Sequence, residues 1–293
     1  MAFLERIRTA NSFRPDHFRA FRVADQRVGF VKHGFAERLA RRPEVFAVTG
    51  QAVTLSPDLE AATPAERSRA VHEVLLALRE QGLIPGWRDE AYRVNQHFDD
   101  APLMTLERAA VPLFGVCGYG VHLNGYVRDG DELRMWVARR SRCKPTAPGK
   151  LDQVVGGGQP VELSPWENLL KECVEEAAMP LELACQARPV GVVSYCLETD
   201  RGLRPDILFN YDLELPADFV PVNQDGEVED FRLLDLDTVA ALVRDTDEFK
   251  FNCTLVVIDF LIRHGRLSPG EPDYAALCEG LTARPTALAR LPG

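Results

Sequence analysis

The segment that most constrains this chain is VVGGGQPVELSPWENLLKECVEEAAM, residues 154–179, where an apolar strand end, a glycine run, a helix start and an acidic helix follow one another. Ser164, Pro165 and Glu167 make a capping box with proline at the first helical position, so a helix is predicted over 164–178. Leu169, Leu170, Cys173, Val174 and Ala177 share one side of it. Glu172, Glu175 and Glu176, spaced i, i+3, i+4, fall within an arc of about 100° on another. Like charges at that spacing cost an isolated helix about a few tenths of a kcal/mol per pair, so either the stripe is a solvated face or it has a partner. The glycines upstream let a main chain approach a ligand closely. Three hard carboxylates beside such a loop suit Mg²⁺ or Mn²⁺, and divalent metals on phosphates are the commonest use of that chemistry.

The rest of the chain narrows the class. Its 293 residues suffice for about two domains. A net charge of -10 argues against a nucleic-acid footprint, so an anionic substrate must be met locally, by a metal or a few basic side chains. The seven cysteines never form C-x-x-C, which suits reduced thiols in the cytoplasm better than a disulfide framework or zinc site. The first residues lack the apolar core of a signal peptide, and no run approaches a membrane span.

Thr63, Pro64 and Glu66 cap a helix that Gly82 ends; helix-like HGFAERLARRP and strand-like FAVTGQAVTL precede it. From about Cys117 strands dominate. GVHLNGYVR and LRMWVARR flank an Asp-Gly turn and read as a hairpin. Further strands are expected at PVGVVSYCLET, DILFNYDLEL and VEDFRLL, and helices at 236–246 and 252–264. The fold class is α+β: a small α+β domain over 1–112, a mixed sheet with packed helices over 113–266, and a C-terminal tail over 267–293 whose proline-rich end reads as loose.

KECVEEAAM resembles the R-E-U-x-E-E-x-G-U core of the Nudix box, G-x5-E-x7-R-E-U-x-E-E-x-G-U, with Lys171 for arginine and Ala178 for glycine. Counted back from Lys171, the first glutamate should stand at Leu163, whereas Glu162 lies one residue away. The resemblance extends over about residues 15–266 and is similar to one Nudix subgroup. That subgroup comprises plant chloroplast and yeast hydrolases related to the domain attached to fungal thiamin pyrophosphokinase. It implies a Nudix α/β/α sandwich, a Mg²⁺-dependent hydrolase, and hydrolysis of thiamin diphosphate and damaged forms such as oxo- and oxythiamin diphosphate to the monophosphate. Two alternatives stay open: another nucleoside diphosphate or nucleotide sugar as substrate, and a Nudix-fold binding protein without catalysis. The partner expected is a small-molecule diphosphate, with neither nucleic acid nor membrane; Nudix domains are often homodimers.

Carried over residue by residue, the resemblance makes Glu172, Glu175 and Glu176 metal ligands, joined by the Gly157 carbonyl, with Lys171 orienting a glutamate. Asp225, Glu227 and Glu229 are candidates for the general base. Arg139, Arg140 and Lys144 are expected at phosphate oxygens. His122 and Asn124, on one side of their strand, are candidates for contact with the substrate's base. Trp87 reads as a buried residue of the small domain rather than a stacking platform.

Overall fold

The computed structural model describes residues 3–284, 288–289 and 291. Helix α1 (Phe3–Ala10) precedes a four-stranded sheet of β1 (Phe18–Val23), β2 (Gln26–Lys32), β3 (Phe46–Val48) and β4 (Ala52–Leu55), with α2 (His33–Leu39) between β2 and β3. The order is β2-β1-β4-β3, with β1 and β4 parallel and the outer pairs antiparallel. A short α3 (Pro57–Glu60) leads into α4 (Pro64–Glu80), whose N-terminus carries the expected reciprocal cap between Thr63 and Glu66. Val71, Val74, Leu75 and Leu78, at helical spacing, bury one face of α4 in the first core. An antiparallel ribbon, β5 (Ala91–Val94) with β6 (Met104–Glu107), and the short α5 (Val111–Phe114) complete this N-terminal unit.

The second unit is built on a seven-stranded mixed sheet. The expected hairpin is β7 (Tyr119–Asp129) with β8 (Glu132–Arg140), and Gly130 at its turn takes a φ of 60°. The hairpin diverges at its open end, where β9 (Leu151–Gln153) pairs with β8 and β10 (Val155–Gly158) with β7. Then come α6 (Pro165–Ala177), α7 (Leu181–Ala184), β11 (Arg188–Ser194), β12 (Leu197–Thr199), β13 (Gly202–Arg204), β14 (Ile207–Glu214), β15 (Val228–Asp235), α8 (Leu236–Asp245), α9 (Phe251–Arg263) and α10 (Tyr274–Gly280). The main path is β11-β14-β7-β8-β15, with only β14 and β7 parallel. The strand expected over 189–199 is two strands, because Tyr195 turns inward after β11 and its hydroxyl donates to Asp206 at 2.7 Å.

Helices cover both faces of the sheet, giving the expected α/β/α sandwich. α6 packs Leu169, Cys173 and Ala177 against Val121 and Leu123. On the other face lies α9, nine of whose thirteen residues are buried; a helix apolar nearly all round must be enclosed, and α1 and α8 enclose it.

Two features of the chain's ends depart from a simple division. Ile7 and Ala10 of α1 sit in the same core as α8, α9 and α10, and the Arg6 guanidinium donates to the Val243 carbonyl at 2.8 Å. The first helix thus belongs to the second unit. In the segment expected to be loose, 280–293, Leu281 and Leu291 are buried and the Arg284 guanidinium donates to the Pro205 carbonyl; residues 285–287, 290 and 292–293 lie outside the described residues.

The units are also tied by Glu198 on β12, which meets His17 at 2.7 Å, Lys32 at 2.9 Å and the Arg14 N–H at 2.9 Å. Burial pushes its pKa up, but the hydrogen bonds from His17, Arg14 and Lys32 outweigh that and hold the carboxyl at about 2. Below about pH 4.5 the unfolded chain binds a proton that the folded chain refuses, so this stabilisation is present above that pH and is lost as pH falls toward 2. Glu198→Gln should therefore lower the thermal midpoint at pH 7, and the gap to wild type should close as pH falls from 5 to 3. α6 ends in Ala178 at φ 51°, and the next residue closes a Schellman-type bond from the Met179 N–H to the Cys173 carbonyl at 3.1 Å. A Cβ in the left-handed region is strained, so Ala178→Gly should raise stability by about 1 kcal/mol, read as a thermal midpoint about 2 °C higher.

Candidate active site

The site is assembled where α6 crosses β10. Ser164 and Glu167 cap the helix reciprocally, so Glu167 is spent on the backbone as its position implied. With Leu169, Cys173 and Ala177 pinned to the sheet, the helical period turns Glu172 and Glu176 toward β10 and leaves Glu175 half exposed. Glu176 is 6% exposed, and its Oε2 accepts the Gly156 N–H at 2.8 Å. Glu172 lies so close to the main chain at Gly157 that a Cβ there would collide with its carboxyl. Lys171 donates to Glu175 at 2.6 Å and approaches Glu172 at 3.4 Å, so it bridges two of the three glutamates.

Across from the helix, the loop before β15 brings Asp225 and Glu227 to Glu176, with carboxylate oxygens of all three within 4.8 Å of one another. Two of the three general-base candidates are thus joined to the helix; Glu229 pairs with Arg142 at 3.8 Å instead. The Lys144 ammonium stands between, hydrogen-bonded to Glu227 and 3.8 Å from Glu176. Burial pushes Glu176 up to about 8, against the pull of Lys144 and with a further push from Glu172. Burial likewise raises Glu172, against the pull of Lys171. Glu227 is also penalised by burial, yet the hydrogen bond from Lys144 keeps it below its ordinary value. Hard oxygen donors with one buried, proton-retaining carboxyl fit a divalent cation such as Mg²⁺ or Mn²⁺, which takes over the charge neutralisation that a proton and Lys144 supply without it.

The backbone contact falls one residue from its expected place. The Gly156 N–H points at Glu176, and in a strand the C=O of the same residue shares that side, whereas Gly157 pairs with Val121 and turns its carbonyl toward Gly120. Gly156 thus presents its N–H to Glu176, while Gly157 meets the Glu172 carboxyl with its Cα and turns its carbonyl away. The same shift accounts for Glu162: G-x5-E is satisfied by Gly156 and Glu162, and the extra residue lies between Glu162 and Lys171.

Of the expected substrate contacts, Lys144 is brought to this cluster, whereas His122, Asn124, Arg139 and Arg140 are not. His122 is 3% exposed, its Nδ1 lies 2.9 Å from the Gln153 Oε1, and burial pushes its pKa down to about 4, so it is a neutral interior residue beneath α9. Asn124 is fully buried and donates to Asp212 at 3.0 Å. Arg140 is committed to Asp152 at 2.7 Å and to the carbonyls of Thr146 and Ala147; Arg139 bonds the Gly149 carbonyl and Glu248. These guanidiniums brace the loop between β8 and β9, so the terminal nitrogens of Arg139 and the guanidinium of Arg140 are already engaged, while the buried Arg139 Nε has no partner among the described residues. His122, Asp152 and Cys253 also converge. Asp152 is penalised by burial but held well below the usual carboxylate range by the charges around it, and the Lys250 and Arg140 cations already neutralise that cluster. Trp87 is partly buried in the first core, with its Nε1 donating to Asp89.

The N-terminal unit reaches the same place, which sequence reading missed. A Cβ on Gly158 would strike the Tyr92 hydroxyl and lie 3.3 Å from the Arg108 Cζ, and the Arg88 guanidinium is 3.9 Å from Glu227. The one signal for these partners was the absence of side chains at consecutive strand positions, which implies neighbours on both sides.

Residues 2–118 match the family model described as a domain of unknown function (DUF4743). Nudix hydrolase 24, chloroplastic, of Arabidopsis thaliana is 46% identical over 281 residues, spanning 94% of this chain and 76% of that protein. Nudix hydrolase 20, chloroplastic, of the same plant is 43% identical over 294 residues, 96% of this chain and 78% of that protein. The uncharacterized protein YJR142W of Saccharomyces cerevisiae is 38% identical over 210 residues, 66% of this chain and 60% of that protein. Identity of this extent covers the acidic helix, the glycine strand and the late acidic loop together, and the chain belongs to the Nudix hydrolases.

Proposed function

We propose that this hydrolase is a Mg²⁺-dependent diphosphatase that converts thiamin diphosphate, and oxidised forms such as oxo- and oxythiamin diphosphate, to the monophosphate. The observation that carries the metal-dependent half is the convergence of Glu176, Asp225 and Glu227 beside the Gly156 main chain. The substrate half rests on the resemblance of residues 15–266 to the thiamin-diphosphate subgroup. A bound Mg²⁺ supplies charge neutralisation at the diphosphate and a more acidic water. Glu176, Asp225 and Glu227 offer the oxygens to hold it, with Glu172 and Glu175 completing the acidic face. Lys171 fixes the rotamers of Glu172 and Glu175. With a metal held at Glu227, the Lys144 ammonium beside it would have a donor for a phosphate oxygen. The seven free cysteines support a reducing compartment such as the cytoplasm, and among the described residues no helix is long and apolar enough to cross a membrane.

Purified protein with Mg²⁺ should release thiamin and oxythiamin monophosphates from their diphosphates. Turnover of a nucleotide sugar with oxythiamin diphosphate untouched would overturn the substrate. Glu176→Gln should cut the rate at least about tenfold, a loss of about 1.4 kcal/mol in transition-state stabilisation, and an undiminished rate would remove Glu176 from the site. Because burial raises Glu176 to about 8 and a metal needs its carboxylate form, Mg²⁺ binding expels a proton below that pH. Mg²⁺ affinity should therefore climb from pH 6 to pH 8, by up to about tenfold per unit, and titrations at the two pH values should show the slope vanish in Glu176→Gln.

A further inference from the structure

We propose that Arg88 and Arg108, both carried by the N-terminal unit, form an oxyanion subsite that holds the phosphate oxygens of the diphosphate opposite the acidic helix. On this view the unit matched as a domain of unknown function completes the active site. The inference rests on the diphosphatase reading and says where the substrate's own charge is met.

The electrostatics require such a wall. Glu172, Glu175, Glu176, Asp225 and Glu227 crowd one side, and a diphosphate brings further negative charge that a divalent ion cancels only in part. Lys144 is one local cation, and the arginines expected from the sequence, Arg139 and Arg140, are used elsewhere. Besides Lys144 and Lys171, two further cations face the cluster from the other unit. Arg88 lies 3.9 Å from Glu227, too far for a hydrogen bond, and its side chain is about one-third exposed (35%), so its guanidinium fork has no hydrogen-bonded partner among the described residues. Arg108 lies against Gly158, one residue beyond the glycine that Glu172 covers, and is among the charges acting on Glu172. It spends a single nitrogen, Nη1, on both oxygens of Glu90, at 3.2 and 3.0 Å, which leaves Nε and Nη2 for an anion. Arginine forks of this kind bind phosphate oxygens in pairs.

Both arginines are positioned by main-chain and buried contacts, as a binding site needs. Glu107, 5% exposed, accepts the N–H groups of Arg88 at 2.9 Å and Ala109 at 3.1 Å, and so ties the two arginine-bearing segments together. The Arg108 N–H donates to the Glu90 carbonyl at 2.9 Å. From the second unit, Arg201 clamps the carbonyls of Pro85 and Ala109 at 3.0 and 2.8 Å, and the Val161 N–H donates to the Ala91 carbonyl at 2.9 Å. The Tyr92 ring lies under the Arg108 guanidinium at 5.9 Å, and its buried hydroxyl, aimed at Gly158, has no hydrogen-bond partner among the described residues. The wall is thus fixed to the glycine strand independently of any substrate.

The test uses the full-length protein, because α1 is part of the second core, with inorganic pyrophosphate and Mg²⁺ as the probe. Calorimetric titration should show pyrophosphate affinity at least tenfold weaker in Arg108→Ala and in Arg88→Gln, while Mg²⁺ affinity without pyrophosphate changes less than twofold. Arg108→Lys should recover part of the loss. In turnover, KM for the diphosphate should rise with kcat held within about threefold. Arg88→Gln breaks no hydrogen bond of its guanidinium, so it reports on the subsite even if loss of the Glu90 pair destabilises the Arg108 variants. Equal pyrophosphate affinity in wild type and the Arg88→Gln, Arg108→Ala double variant would overturn the subsite, as would absence of pyrophosphate binding by wild type. Arginine-dependent pyrophosphate binding without hydrolysis of thiamin diphosphate would sink the substrate reading and leave the subsite standing.

Discussion

The hydrogen bond from the Gly156 N–H to the buried carboxylate of Glu176 is the contact on which the second unit's arrangement turns. A carboxylate removed from water is costly unless it is hydrogen-bonded, paired or protonated, and Glu176 uses some of each. It also stands in the last turn of α6, at the negative end of the helix dipole, with Glu175 beside it and no basic residue in that turn. The crowding of acids at this helix end opposes folding. What holds it is the apolar seam of Leu169, Cys173 and Ala177, which docks the helix so firmly that the acids have no choice of direction. The site is a place where local preference is overruled by packing, as binding sites commonly are.

The glycine run is the second half of that constraint, and its reason differs from the one its composition suggests. Gly156, Gly157 and Gly158 are not among the positive-φ residues; all three lie in the ordinary strand β10. Their value is steric. Gly157 meets Glu172, Gly158 meets Tyr92 and Arg108, and a Cβ at either position would push away a residue of the site. A bare strand therefore lets the acidic helix and the N-terminal unit approach the same few ångströms of main chain.

Much of this was legible in the sequence, and the limits follow a physical line. The capped helices at Thr63 and Ser164, the hairpin around Gly130, and helices α8 and α9 each declare themselves through contacts within a few residues, and all five stand close to their expected bounds. Residue types on α6 likewise announced an acidic cluster. What local pattern cannot show is which charged groups are already taken. Arg140 and His122 look available in a string of letters, but Asp152 and Gln153, brought up by β9, use them. Conversely Arg88 and Arg108 have nothing in their own neighbourhood to mark them, because their significance comes from strands distant in sequence.

The same long-range pairing makes the two units interdependent. α1, at the start of the chain, fills the core around α9, and Glu198 and Arg201 on the β12–β13 hairpin hold the N-terminal unit from the other side. Each unit thus covers surface that the other would expose. Catalysis by a diphosphatase depends on where fixed charges stand when the substrate arrives. In this chain the acids are fixed by one core and the facing arginines, Arg88 and Arg108, by another, so the geometry of the site depends on the contact between cores. Substitutions that loosen that contact, far from any charged group, should act on the site as surely as the loss of a ligand.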